Sequence, residues 1–362
     1  MNKNKIIIII FLFSSIAYGQ KKELKLAEKN IKTEDYSAAK QNVLLAAKLK
    51  NQMDDRTTVK YHYLKGVANY ANGTANIEES SIALENINKV IELESDSSNK
   101  LYTDKANDLR IAMLNKFVDD SKSNLEKENY KDAYLNLEMS YRISPSDTLY
   151  LYNAALIATE NNDFDKALSF YNELISIGFT GVTTNYYAIE KTTGEQQAFQ
   201  SPKQRELFIK AGTHENPKDV DLESVEIDML RSMAAIYKNN EDYDNALVYI
   251  DKAKAIDDND INLILLESNI KWDIGDVQSY ERLITKALEI DPDNVDLHFN
   301  LGVISSDKGD IDKAMSHYDK AIEIDKSYKR AYLNAAALIL KKEGNIIEEM
   351  NSLGTSNADY NR

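Results

Sequence analysis

Cysteine is absent from all 362 residues, which excludes disulfide frameworks, thiolate metal sites, cysteine nucleophiles and lipid attachment at cysteine. Four prolines and twelve glycines are too few for an all-β chain with a turn every ten residues or so. Basic residues are outnumbered, 44 Lys and Arg against 59 Asp and Glu, for a formal charge of −15. A nucleic-acid binder needs clustered cations for phosphate contacts, so that class is disfavoured. The phosphate loops G-x-x-x-x-G-K-[ST] and G-x-G-x-x-G, the nucleophile elbow G-x-S-x-G and the zinc helix H-E-x-x-H do not occur. The four histidines, His62, His214, His298 and His317, are scattered, and no carboxylate spacing marks them as metal ligands. His298 and His317 share one segment and read as surface or edge packing. His214-Glu215 reads as loop. No catalytic, cofactor-binding or metal residue is therefore assigned.

What is present starts at the N-terminus. Lys3 and Lys5 precede an unbroken apolar stretch from Ile6 to Phe13 and a small-x-small exit, Ala17-Tyr18-Gly19. That is the build of a secretory signal peptide over 1–19, and it is shorter than the roughly 20 apolar residues of a membrane span. No later segment is apolar enough to span, so the expectation is an exported chain, periplasmic or extracellular, beginning at Gln20.

The rest is periodic. Small residues recur at intervals of twelve and then seven: Ala27, Ala39 and Ala46; Ser121, Ala133 and Ser140; Ala234, Ala246 and Ala253; Gly302, Ala314 and Ala321. Ala155, Ala167 and Leu174, and Ser268, Tyr280 and Ala287, keep the spacing with one large residue each, and Gly66, Ala83 and Val90 fit with five residues inserted. The first small sites Ala234, Ser268, Gly302 and Ala336 are 34 residues apart. Two antiparallel helices approach closely where both present a small residue, and large neighbours interlock around it. Between them a turn recurs, as Glu34-Asp35-Tyr36, Glu241-Asp242-Tyr243, Gly275-Asp276-Val277 and Gly309-Asp310-Ile311, whose Asp suits the N-terminus of the second helix.

This pattern resembles the tetratricopeptide repeat (TPR) family, most closely in Asn300-Leu301-Gly302, Gly309 to Ala314, Tyr318 and Ala321 to Asp325. The resemblance implies an all-α superhelical solenoid of helix pairs whose concave face binds a protein or peptide, and a non-catalytic role. It departs from the family at the first-helix tryptophan site, held here by His298, Ile264 or Leu230. The expected domains are an array over 20–181 of about four units, the second with an insertion, an inserted segment over 182–226, and an array over 227–362 of three units and an incomplete fourth. Within 182–226, Asn185 to Lys191 and Glu195 to Gln200 read as a β-hairpin, Ser201-Pro202 as the start of a short helix, and Gly212 to Asp221 as loop. Residues 98–113 read as a longer helix joining the second and third units.

A stripe beside the small-residue face, Leu265, Asn269, Trp272, Phe299, Val303, Arg330, Leu333 and Ala337, is the candidate groove implied by the resemblance; packing between neighbouring units is the competing reading. A carboxylate clamp is only partly matched, because Leu265 and Asn334 stand where the family has basic residues. Three functions stay open: a protein-binding scaffold, a structural spacer of the envelope, and, most distantly, an enzyme. At the C-terminus, 329–342 reads as a first helix lacking a small-residue partner, since Glu348 and Thr355 stand at the partner positions. That leaves Leu338 and Leu340 facing water unless the chain continues or another subunit covers them, so an oligomer through this repeat is open.

Overall fold

The computed structural model describes residues 20–199 and 201–353; the expected signal peptide, 1–19, lies outside them. A first compact unit runs to Phe179 and a second starts at Thr180. Helices of the first unit are α1 (residues 20–32), α2 (Tyr36–Ala47), α3 (Asp55–Tyr70), α4 (Ile77–Leu93), α5 (Thr103–Glu126), α6 (Tyr130–Ile143), α7 (Leu149–Glu160) and α8 (Phe164–Ser176). The second unit opens with β1 (Thr184–Glu190), β2 (Gln196–Phe199), α9 (Pro202–Lys210) and β3 (His214–Asp221). It continues as α10 (Glu226–Asn239), α11 (Tyr243–Lys254), α12 (Ile261–Asp273), α13 (Val277–Ile290), α14 (Val295–Asp307), α15 (Ile311–Ile324) and α16 (Lys329–Leu353). No described helix is long and apolar enough to cross a membrane.

The turn between paired helices follows from one backbone device. Glu34, Glu128, Asn162, Glu241, Gly275 and Gly309 all adopt positive φ, between 58° and 79°. At the next residue, the N–H of Asp35, Asp163, Asp242, Asp276 or Asp310 donates back to a carbonyl of the first helix, closing a Schellman-type stop. The same aspartate's carboxylate then caps the second helix, as Asp276 does by accepting from Ser279 N–H at 3.1 Å. One residue ends one helix and starts the next, which is why Asp recurs there.

The small residues sit where the helices meet. Ala27, Ala39, Ala46, Ala155, Ala167, Ala234, Ala246, Ala253, Ala314 and Ala321 are fully buried, and Gly302 is buried with them. Tyr318 lodges against Gly302, Ala314 and Ala321, and it is buried, as are Tyr134 and Tyr171. In the first unit Tyr70, Met113, Phe117 and Ile143 tie α3, α5 and α6 together. In the second, Ile264, Leu283, Ile284, Leu297 and Leu301 tie α12, α13 and α14. Of the helix expected over 98–113, residues 98–102 are not helical; the rest, from Thr103, is continuous with the first helix of the third unit as α5.

The inserted segment differs from expectation. Gly212 to Asp221 is not loop; it contains β3, which pairs antiparallel with β1 in a three-stranded sheet ordered β2-β1-β3. Its polar sequence and Pro217 suit an edge strand, and Asn216, at φ 51°, lies where the register slips between Tyr187 and Ile189. Arg205 of α9 is buried on this sheet, its guanidinium donating to Lys218 O at 3.1 Å and pairing with Asp219. His214 does not stand in a loop either: it is buried edge-on between Phe199 and Phe208 and donates from Nε2 to Gln197 Oε1 at 2.7 Å. The stem closes on itself, with Leu222 N–H to Thr183 O and Val225 N–H to Thr180 O, both 2.8 Å. Replacing residues 184–221 by a short glycine-serine linker is therefore expected to leave the helical circular dichroism per helical residue unchanged. Cooperative loss of helix would show the insertion to be part of the array's core.

Candidate functional site

The stripe singled out in the sequence lies on α12, α14 and α16. Asn269, Trp272, Arg330, Leu333 and Ala337 are exposed, and Leu265 and Val303 are half-buried. Phe299 stands apart. Its ring is buried against Tyr318 and Tyr328, with the Arg330 guanidinium 4.3 Å above it, so it forms floor rather than free surface. Trp272 is 48% exposed and leans on Tyr280, ring centroids 5.1 Å apart.

Val303 and Ala337 come together. With Ser306, Asp307, Asn334 and Lys341 they line a depression of about 290 Å³ between α14 and α16, its base formed by Tyr318 and Leu338. The rim offers one anion and one cation around an apolar floor, an arrangement suited to a side chain or short segment of a partner rather than to bond-making chemistry. Away from the depression, beside Phe299, Tyr328 Oη donates to Asp296 at 2.5 Å; burial first, and then this carboxylate, raise the phenol's pKa. Among the described residues no three His, Asp or Glu side chains converge as a metal set.

Sequence reasoning did not foresee that His298 and His317 meet. His298 Nε2 donates to Pro292 O at 3.0 Å, which leaves its Nδ1 lone pair to accept from His317 Nδ1, 3.3 Å away. A second proton would set two N–H groups against each other. Burial, then His298, then Lys313 lower the pKa of His317, with Glu281 opposing. Because the folded value lies below the unfolded one of about 6.5, this histidine's contribution to stability is whole above that pH and declines as pH falls through the folded value. The urea midpoint should fall as pH drops below about 6.5, and His317→Gln should flatten that slope. An unchanged slope in the variant would show the pair to be thermodynamically idle.

Two family models described as tetratricopeptide repeat match the chain, over residues 149–177 and 283–315. No curated protein matches it. Among solved structures, the C-terminal part of a TPR repeat-containing protein from Cytophaga hutchinsonii is similar at 11% identity, over 86% of this chain and 98% of that one, with a TM-score of 0.42. MamA from Desulfovibrio magneticus is similar at 14% identity, over 60% of this chain and 97% of that one, with a TM-score of 0.40. YrrB, described as a TPR protein with an unusual peptide-binding site, is similar at 15% identity, over 69% of this chain and 97% of that one, with a TM-score of 0.39. The first family match covers the pair α7 and α8, and the second runs from within α13 through α14 into α15: the chain is one that carries tetratricopeptide repeats.

Proposed function

We propose that the chain is an exported, non-catalytic scaffold that holds a protein or peptide segment along the first helices of the second unit. The observation that carries this is the exposure of large apolar side chains on the first helices, Trp272 on α12 and Leu333 on α16, together with the depression between α14 and α16. Exposed large apolar side chains and a small recess on one run of helices are the composition of an interface. Buried Phe299 and half-buried Leu265 and Val303 favour the second reading, a structural spacer, to the extent that the units fill their own groove.

An affinity capture from envelope extract separates the two. The scaffold predicts one or more proteins retained by the wild-type chain and lost from Trp272→Ala and Leu333→Asp, with helical content unchanged. Identical retention by all three would remove the groove from consideration. Export rests on the apolar stretch of the first nineteen residues. N-terminal sequencing of protein from the envelope fraction should read from Gln20, and Met1 on that material would contradict cleavage.

A further inference from the structure

Charge is spread unevenly along the chain. Residues 20–65, which form α1 and α2 and reach into α3, hold eleven Lys and Arg against six Asp and Glu, whereas residues 66–362 hold thirty-one against fifty-three. The cationic excess converges on one place. Lys21 and Lys25 of α1 and Arg56 and Lys60 of α3 line a hollow of about 470 Å³ between those helices. Two carboxylates share it, and both are engaged. Glu28 pairs with Lys60 at 2.6 Å; Asp54 caps α3 by accepting from Thr57 N–H at 2.7 Å and pairs with Lys21 at 3.5 Å. The hydrogen bond from Lys60, opposed by burial and helped by Lys32 and Lys105, holds Glu28 below the ordinary carboxylate pKa. Lys25 and Arg56, both exposed, have no carboxylate partner among the described residues. Arg56 and Tyr102 also line a second hollow, of about 400 Å³, whose walls include Val59, Leu93 and Leu101. Leu93 and Leu101 are 40% and 38% exposed. The Tyr102 ring between the hollows rests on Tyr63, ring centroids 5.0 Å apart, with Lys105 Nζ 5.5 Å from its centroid.

We infer that these two adjoining hollows of the first unit are a second binding site, which takes an acidic segment of a partner protein. Its carboxylates sit against Lys25 and Arg56, and a neighbouring apolar side chain sits against Leu93 and Leu101. The charges decide the class of ligand. A guanidinium and an ammonium without partners, in a hollow lined by four cations and two spent carboxylates, are complemented by added carboxylates, which the planar fork of Arg56 can hold by two hydrogen bonds. Asp55 and Glu94 at the second hollow turn carboxylates away from it, so the acidic residues fall in the first hollow and the apolar one in the second. That apolar half distinguishes a peptide from a bare inorganic anion. A long polyanion or an anionic bilayer fits worse, because the acidic excess beyond residue 65 repels whatever extends past the patch. No residue is shared with the groove of the second unit, so the two readings stand or fall separately.

Fluorescence anisotropy with the full chain tests it. The probe is a labelled, capped peptide of alternating glutamate and leucine. It should bind with an affinity that falls as salt rises, and its glutamine counterpart should bind about tenfold or more weakly. Arg56→Gln and Lys25→Gln should each weaken the glutamate peptide by about fivefold or more. Leu93→Gln should weaken it too, yet leave unchanged the binding of a peptide with serine in place of leucine. Lys29→Gln, which removes an exposed cation of α1 outside both hollows, should change nothing, and all variants should keep the helical content of the wild type. Failure of the glutamate peptide to bind at low salt would overturn the inference, as would equal affinity for the glutamine peptide or equal losses from Arg56→Gln and Lys29→Gln. Binding of heparin or of phosphatidylglycerol vesicles in place of the peptide would give the site to a polyanion or a membrane and overturn it too.

Discussion

Replacing Gly302 with leucine is expected to lower the stability of the second unit by about 3 kcal/mol, at the upper end of overpacking effects. A Cβ at this position would already stand 2.6 Å from Tyr318 Cδ1 and 3.0 Å from Cζ, and that ring is 1% exposed, with nowhere to turn. Even Gly302→Ala should lose about 1–2 kcal/mol, the clash outweighing the roughly 1 kcal/mol that alanine returns in helix propensity. Gly66 is a second such site. Its Cβ would meet Ile87 Cδ1 and Cγ1 at 2.7 Å and Ala83 O at 3.3 Å, and Ile87 is β-branched and fully buried, so Gly66→Ala should also destabilise, by about 1 kcal/mol. Urea unfolding, with hydrogen exchange in α14 and α15 as the local readout, would rank the three variants. Equal protection in all of them would mean that the helix pairs do not meet at the small residues.

Glu94→Ala is expected to be nearly as damaging, at about 3 kcal/mol. The carboxylate is buried and accepts from the backbone N–H groups of Leu101 at 2.9 Å, Tyr102 at 3.0 Å and Thr103 at 2.8 Å, and from the Thr103 hydroxyl at 2.7 Å. Tyr102 makes no side-chain cap, so Glu94 reaches from the end of α4 to satisfy the N-terminus of α5. Burial alone would raise its pKa, but the hydrogen bonds, Thr103 foremost, outweigh burial and hold it below the ordinary carboxylate value. With the folded value depressed, the stability it provides is complete above an unfolded value of about 4.3 and is lost as pH falls through the folded one. The alanine variant should lose that acid-limb dependence along with its midpoint. A midpoint within about 0.5 kcal/mol of wild type would show that water replaces the carboxylate without penalty.

The helix pairs were legible because close packing constrains residue size: most intervals of twelve and seven mark a site held by a small side chain, with Leu174, Tyr280 and Val90 the larger ones, and the alanines at those sites are all fully buried. The Asp of each turn was legible because it performs two backbone tasks at once. β3 was not, since an edge strand needs no apolar alternation, and His214-Glu215-Asn216-Pro217-Lys218-Asp219 has the composition of a loop. His214 gains its burial from Phe199 and Phe208, partners up to fifteen residues away that no local pattern connects. The meeting of His298 and His317 is likewise a product of helix pairing rather than of spacing along one helix. At the C-terminus the expected small site, Ala336, is exposed because α16 does not turn back to cover it, and Leu338 is buried, contrary to expectation, because it belongs to the face that packs on the helices before it. In the groove, a stripe drawn from the wheel of one helix missed that Tyr318 and Tyr328 of neighbouring segments enclose Phe299.

Trp272 is the chain's single tryptophan, and it stands 48% exposed on the face proposed to bind a partner. Its fluorescence therefore reports on the central claim without any label. Titrating the chain with a partner captured from the envelope should shift the emission to the blue and shield it from acrylamide, as a half-exposed indole becomes enclosed. A partner that binds while the emission and its quenching stay those of the free chain would place the binding surface elsewhere.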